Sequence, residues 1–268
     1  MKDENNKMKN HNIINNSIAL GICALTLAIA PLTASGQNSI GINYAGRQWS
    51  IGGNTAMTLA YTDTAGAVPQ MNWNNVNLDG GSPQGLSHVM GPNAGVISDN
   101  SGAATSVTMT YTLDGEWAVN QTPWTGNQGL LDGYIDDNGS SPLTVSLGNI
   151  PYSLYDVFVY VTSSGNGNSG SVSLNGGAPI YYLSDAVGYN YANPLIQATA
   201  TSIGGAVGAQ YVEFDNVSGA SFSVVQSIVS GNNGLAGIQI VAVPEPSVMA
   251  LCPLGGLALL GMRFRRDA

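Results

Sequence analysis

Apolar and polar side chains alternate along much of the chain, most clearly between residues 106 and 240. In the segment 106–113 every second residue from Val107 is apolar, and the segment 143–147 repeats the pattern from Leu143. A two-residue period is typical of an antiparallel strand with one buried face. The segment 157–161 is apolar at every position, which predicts a central strand with both faces covered.

Glycine and asparagine separate these segments. Asn175-Gly176-Gly177 precedes the segment 180–183 and predicts a tight hairpin, and residues 165–168 predict a second hairpin loop. No twelve-residue stretch of this region has a helical period. Several short strands with such turns predict an all-β protein, a two-sheet antiparallel β-sandwich. The long connections favour a jelly-roll topology, and an immunoglobulin-like strand order stays open.

The first part of the chain has the composition of a targeting segment. Three lysines precede an apolar run at 17–30 and a group of small residues at 33–36. A cationic head, a short apolar helix and small residues describe a secretory signal, with cleavage after Ala34 or Gly36. We therefore expect residues 1–36 to be a signal peptide that forms a helix.

The segment 243–268 combines three features in order. They are the extended Pro244-Glu245-Pro246, the apolar segment 248–262 and the basic residues Arg263, Arg265 and Arg266. The apolar segment would rise about 22 Å as a helix, somewhat less than a hydrocarbon core of ~30 Å, and flanking residues extend its reach. This pattern predicts a C-terminal transmembrane helix whose basic end stays in the cytoplasm. Residues 37–242 then form the β-sandwich domain.

Together these three features resemble the PEP-CTERM sorting signal. The resemblance covers only the tail, about 26 of the 268 residues. It implies recognition by an exosortase, a membrane-embedded processing enzyme of Gram-negative bacteria that make exopolysaccharide. It also implies that an inner-membrane-anchored precursor is cleaved near the motif and that the body is released to the cell surface or extracellular matrix. The resemblance leaves the activity of the body open.

The charge of the body excludes several classes of function. Between residues 37 and 243 the only lysine or arginine is Arg47, against twelve aspartates and glutamates. Nucleic-acid binding requires several cations to displace counterions from phosphates, so nucleic acid is excluded as a partner. Both cysteines, Cys23 and Cys252, lie in the terminal apolar segments, and the body therefore has no thiol nucleophile and no cysteine zinc site. No cofactor is expected.

The residues needed for catalysis are sparse. His88 is the only histidine of the body, and no Gly-x-Ser-x-Gly motif accompanies it. Glycoside hydrolysis requires two carboxylates roughly 5–10 Å apart, one of them protonated. Glu116, beside Trp117, and Glu213, on a predicted strand, are candidates, but the sequence indicates no pair. We therefore expect a protein that is not an enzyme.

Two kinds of binding site remain. Sugar rings stack on exposed aromatic side chains, and the candidates for glycan stacking are Trp49, Trp73, Trp117 and Trp124. Calcium prefers six to eight oxygen ligands, and a turn rich in carboxylates suits it. The densest acidic turn predicts a calcium site with the ligands Asp132, Asp136, Asp137 and Asn138.

These patterns predict an exported, non-catalytic β-sandwich with a structural or adhesive role at the cell surface or in the matrix. A carbohydrate-binding module for matrix polysaccharide is the first alternative, and a glycoside hydrolase is the second. The expected partners are the exosortase-type enzyme, the inner membrane before processing, and matrix polysaccharide.

Overall fold

A computed structural model describes ten segments of the body. They are 37–48, 55–56, 58–77, 86–90, 95–113, 115–119, 126–136, 141–163, 165–185 and 194–244. The predicted signal helix at 1–36 and the predicted transmembrane helix at 248–262 lie outside the described residues. Among the described residues, no helix has the length and apolar character needed to cross a membrane.

Strands form most of the described regular structure. In the first half of the chain they are β1 (Ser39–Ala45), β2 (Arg47–Gln48), β3 (Thr55–Ala56), β4 (Asn74–Asn77), β5 (Leu86–Met90), β6 (Thr108–Leu113), β7 (Gly115–Ala118) and β8 (Gly133–Asp136). In the second half they are β9 (Leu143–Gly148), β10 (Leu154–Ser163), β11 (Asn166–Leu174), β12 (Ile180–Asp185), β13 (Gln197–Ala198), β14 (Gly208–Ala209), β15 (Tyr211–Ser218), β16 (Ser221–Ser230) and β17 (Asn233–Ala242). Two short helices accompany them, α1 (Gly126–Leu130) and a 3-10 helix at Ile203–Gly205.

The strands form two main sheets. Sheet I has the order β13-β15-β10-β17-β1-β4, with β8 paired to β17 and β7 paired to β8. Sheet II has the order β14-β12-β11-β16-β9-β6-β5, and β2 pairs with β3 in a separate ribbon. The prediction of a mostly β protein with two sheets, similar to a β-sandwich, is confirmed.

The prediction that the sheets are purely antiparallel is wrong. The pairs β1–β4, β12–β14 and β13–β15 are parallel, so both sheets are mixed. In each of these pairs a connecting segment separates the two strands, whereas a tight hairpin would reverse the chain. Each parallel pair lies at an edge of its sheet, and the central pairs are antiparallel.

The alternating apolar residues fill the space between the sheets. Val157, Val159 and Val161 of β10 point into this core, as do Val145 of β9 and Val224 of β16, and all are buried. β10 lies between β15 and β17, which confirms the prediction of a central strand.

A second apolar cluster covers the outer face of sheet I. Residues 58–73, which we call the strap, place Leu59 and Trp73 against Phe158 and Tyr160 of β10. A buried hydrogen-bond network holds the strap, because Tyr160 donates to Gln239 Oε1 at 2.7 Å. Gln239 Nε2 in turn donates to Val68 O at 2.6 Å and to Gln70 Oε1 at 2.8 Å. The strap therefore forms part of a third layer on the sandwich.

One predicted hairpin is present and the other is not. β11 and β12 pair as a hairpin, with Asn175 and Gly176 at φ of 51° and 70°, the left-handed region that such a tight turn requires. Residues 166–168 instead begin β11 of sheet II, and β10 lies in sheet I, so the two strands do not pair as a hairpin. Loop composition indicates a change of direction but does not indicate in which sheet the next strand pairs, and this explains the error.

Candidate functional site

The structure describes two of the four tryptophans proposed for glycan stacking, and they differ in exposure. Trp73 is 5% exposed, its ring packs edge-on against Tyr160 with centroids 5.8 Å apart, and its Nε1 donates to Gln70 O. It fills the core beneath the strap and cannot contact a sugar while the strap stays in place. Trp117 on β7 is 43% exposed and remains available. Trp49 and Trp124 lie outside the described residues.

Two of the aspartates proposed for calcium, Asp132 and Asp136, lie within the described residues. Asp136 ends strand β8, and Asp132 directly precedes the same strand. Four residues of extended chain span about 13 Å, so these two aspartates are too far apart to contact one ion. Both are buried, with exposed fractions of 0% and 2%. Asp137 and Asn138 lie outside the described residues, and a site formed by them stays a prediction.

Three other carboxylates converge on the outer side of sheet I. Asp156 of β10 and the pair Glu213 and Asp215 of β15 each place a carboxylate oxygen within 4.8 Å of the others. We call these three residues the carboxylate trio. Glu213 and Asp156 are half-buried and Asp215 is exposed, so solvent reaches the trio.

A β-bulge brings the trio together. β10 and β15 pair antiparallel, and the register shifts between Tyr155 and Val157. The shift places one more residue on β15 than on β10 at the level of Asp156. Asn216 takes φ 55° there, and its backbone N–H donates to Asp156 Oδ1 at 2.8 Å. This hydrogen bond fixes the Asp156 carboxylate beside its two acidic neighbours.

Burial and mutual repulsion hold a proton on the trio. Burial, followed by the negative charge of Asp215, raises the pKa of Glu213 from 4.5 to about 7. A hydrogen bond with Asp215 and the charge of Asp156 make smaller contributions to this rise. Carboxylates in such an arrangement can share a proton, bind a hard divalent cation, or divide the acid and base roles of a hydrolase.

Sequence reasoning identified one member of the trio and missed the arrangement. Glu213 and Asp215 alternate with Val212 and Phe214, which places the two acids on the same face of β15. The missing information was the neighbouring strand, because Asp156 approaches only through the β10–β15 pairing and its bulge. The sequence did contain one signal, because the charged residue Asp156 directly precedes the apolar segment 157–161.

Replacing Glu213 with glutamine should stabilise the fold above about pH 7 and have little effect near pH 4. In the folded state Glu213 binds its proton more tightly than the unfolded chain does, so stability falls as pH rises from about 4.5 to about 7. Glutamine removes this loss. Because Glu213 is only half-buried, solvent screening limits the expected gain to about 1 kcal/mol. Urea denaturation across this pH range measures the difference.

Asp99→Asn serves as the control of opposite sign. The hydroxyl of Ser101 donates to Asp99 Oδ1 at 2.6 Å and holds the pKa of Asp99 below its usual value. Asp99→Asn should therefore weaken the fold at neutral pH, and the difference should disappear as pH falls through this lowered pKa. Identical pH profiles for the wild type and Glu213→Gln would contradict the electrostatic account of the trio.

Comparison with known proteins assigns no family to this chain. No family model matches it, and no curated protein matches it. A solved family GH115 4-O-methyl-alpha-glucuronidase with specificity for decorated arabinogalactans is 16% identical, with a TM-score of 0.26, over 38% of this chain and 13% of that chain. A ruminal GH26 endo-beta-1,4-mannanase is 12% identical, with a TM-score of 0.22, over 40% of this chain and 19% of that chain.

A third structure covers more of the chain at the same low similarity. The Podospora anserina GH26-CBM35 beta-(1,4)-mannanase is 14% identical, with a TM-score of 0.26, over 62% of this chain and 28% of that chain. In all three comparisons the matched region is less than a third of the solved protein. Similarity at these TM-scores assigns neither the fold family nor an activity.

Proposed function

We propose that this chain is an exported protein whose body, residues 37–242, is a non-catalytic structural or adhesive β-sandwich of the cell surface or extracellular matrix. The observation that carries the proposal is the order of features in the tail. Pro244-Glu245-Pro246, the apolar segment 248–262 and the basic cluster ending at Arg266 follow the body without interruption. An exosortase-type enzyme of a Gram-negative bacterium would cut the membrane-anchored precursor near the motif.

The closure of the sandwich supports this division of the chain. The first strand, β1, pairs antiparallel with the last, β17, from Ser39 opposite Val241 to Asn43 opposite Gly237. Beyond the strands, the backbone N–H of Ala242 donates to Asn38 O at 2.8 Å. The first and last strands of the body therefore lie side by side in one sheet.

The strand order supports the jelly-roll topology within the proposal. Four strands of sheet I follow the order β1-β17-β10-β15, and four strands of sheet II follow the order β9-β16-β11-β12. Between β9 and β11, and again from β15 to β17, the chain alternates between the two sheets. Eight strands wound in this way correspond to two Greek keys in two facing sheets, which is the jelly-roll arrangement.

Carbohydrate binding is the second candidate, favoured by the exposed ring of Trp117. An aromatic side chain that is 43% exposed on a strand can offer its face to a sugar ring. Glycoside hydrolysis is the third candidate, and the carboxylate trio is the feature that favours it.

A glycan array probed with the full chain, purified in mild detergent, discriminates between these roles. If the body is structural or adhesive without a Trp117 sugar site, the Trp117→Ala variant should behave as the wild type does. Retention of a glycan that falls roughly tenfold in Trp117→Ala would favour the binding module instead. Release of reducing sugar, abolished in Glu213→Gln, would contradict the non-catalytic proposal.

A further inference from the structure

The outer face of sheet II carries hydroxyl groups in register. Thr110 of β6 lies opposite Ser146 of β9, and Ser146 lies opposite Ser223 of β16. A hydrogen bond of 3.4 Å joins the hydroxyls of Ser146 and Ser223. These three residues form one row across three neighbouring strands, and none of them is buried.

A second row runs beside the first. Thr112 lies opposite Thr144, Thr144 lies opposite Val225, and Val225 lies opposite Ser173 of β11. Positions within a row repeat at about 4.8 Å, and the rows are separated by about 7 Å along the strands. We call these two rows the hydroxyl face.

The core on the other side of the sheet fixes the direction of these side chains. Met109, Tyr111, Val145 and Val224 alternate with the hydroxyl residues and are buried between the sheets. Because side chains alternate across a strand, the threonines and serines must point outward. A slip of one residue would place them in the core, so the register is strongly specified.

Charge is absent from this face, although the body is strongly acidic. The four neighbouring strands β6, β9, β16 and β11 contain no aspartate, glutamate, lysine or arginine. Sheet I, by contrast, carries the carboxylate trio on its outer side. A negatively charged polymer would meet no cation on the four strands of the hydroxyl face and would be repelled by the body, which has twelve acids against one cation.

We propose that the hydroxyl face docks an extended neutral polysaccharide of the matrix. This inference rests on the proposed surface or matrix role and names the partner of that role. Hydroxyls donate and accept, so repeated rows can match the hydroxyls of a regular sugar chain at many points. Each hydrogen bond contributes little, and many such contacts along one polysaccharide molecule together supply the binding. The neutral surface complements a neutral polymer.

The test measures retention of the full chain on polysaccharides. Microcrystalline cellulose and mannan serve as neutral probes, and alginate serves as the acidic probe. The triple variant Thr110→Val, Ser146→Ala and Ser223→Ala removes one row of hydroxyls and changes the size of each side chain little. We expect a neutral probe to retain the wild type and the triple variant to bind roughly tenfold more weakly. Circular-dichroism melting verifies that the variant is folded.

Ser218→Ala removes an exposed hydroxyl from β15 on the other sheet, so it is the matched control and should bind as the wild type does. The inference is overturned if no neutral probe retains the wild type, if alginate retains it equally well, or if the triple variant binds unchanged. It is also overturned if ultracentrifugation shows a dimer that the triple variant abolishes, because the face would then contact a second copy. The sorting experiment on the tail is independent of these results, so the proposed export can stand when this inference fails.

Discussion

Replacing Gly234 with alanine should destabilise the fold by about 3 kcal/mol, a large part of the stability of a typical domain. Gly234 is buried in β17, where β8 crosses it through the pairing of Leu235 with Ile135. A Cβ at Gly234 would overlap the carbonyl oxygen of Ile135 and lie 2.8 Å from Tyr134 Cδ2. A backbone carbonyl cannot rotate away as a side chain does, so β8 would have to move.

The same close approach recurs at Gly46, where a Cβ would overlap the carbonyl oxygen of Trp117. The paired strands β7 and β8, which we call the β7–β8 ribbon, therefore pack directly on β17 and on the backbone that follows β1. Loss of this packing would expose Ile135 and Tyr134, which are both fully buried. Displacement of the ribbon thus adds a loss of apolar burial to the steric cost.

Urea denaturation of Gly234→Ala against a matched control measures this effect. Gly204 lies in the 3-10 helix, and a Cβ there meets no atom within 4 Å. Gly204→Ala should therefore stay within about 0.5 kcal/mol of the wild type. Equal midpoints for Gly234→Ala and Gly204→Ala would show that β8 does not pack on β17 as described.

The sequence predicts those features of the fold that depend on neighbouring residues. The alternation at Val107, Met109 and Tyr111 indicates a half-buried strand, and the unbroken apolar segment 157–161 indicates a central one. Asn175 and Gly176 indicate a hairpin because both must take positive φ, which those residue types tolerate.

Features that depend on distant residues could not be predicted in the same way. Trp73 is located in an irregular stretch, and hydrogen bonds from the distant Gln239 to Val68 and Gln70 help to fix the strap that buries it. The carboxylate trio forms where β15 bulges against β10, and no local pattern specifies a bulge across two strands. Asp132 and Asp136 are close in sequence, but the extended strand β8 holds them apart because it begins directly after Asp132 and ends at Asp136.

Replacing Pro244-Glu245-Pro246 with three alanines should leave the protein in the membrane fraction. Each proline disfavours helix in the residue before it, so we expect the motif to keep an extended segment between the last strand and the proposed transmembrane helix. Alanine is the best helix former and would allow the helix to extend back toward the body. The processing enzyme would then lose both its recognition motif and its extended substrate.

Fractionation of cells that express this variant measures the effect, with Ser247→Ala as the matched control. The control lies next to the motif and leaves both prolines in place, so its release should equal that of the wild type. Equal release of the triple-alanine variant would show that the tail acts as a plain anchor or not at all.

The most direct test of the proposed export and sorting is the intact mass of the wild-type protein recovered from the cell surface or matrix. Our account predicts one species that begins near residue 35 or 37 and ends near Pro244-Glu245-Pro246, so that both terminal apolar segments are missing. Recovery of the full 268-residue chain, with both apolar segments attached, would contradict it.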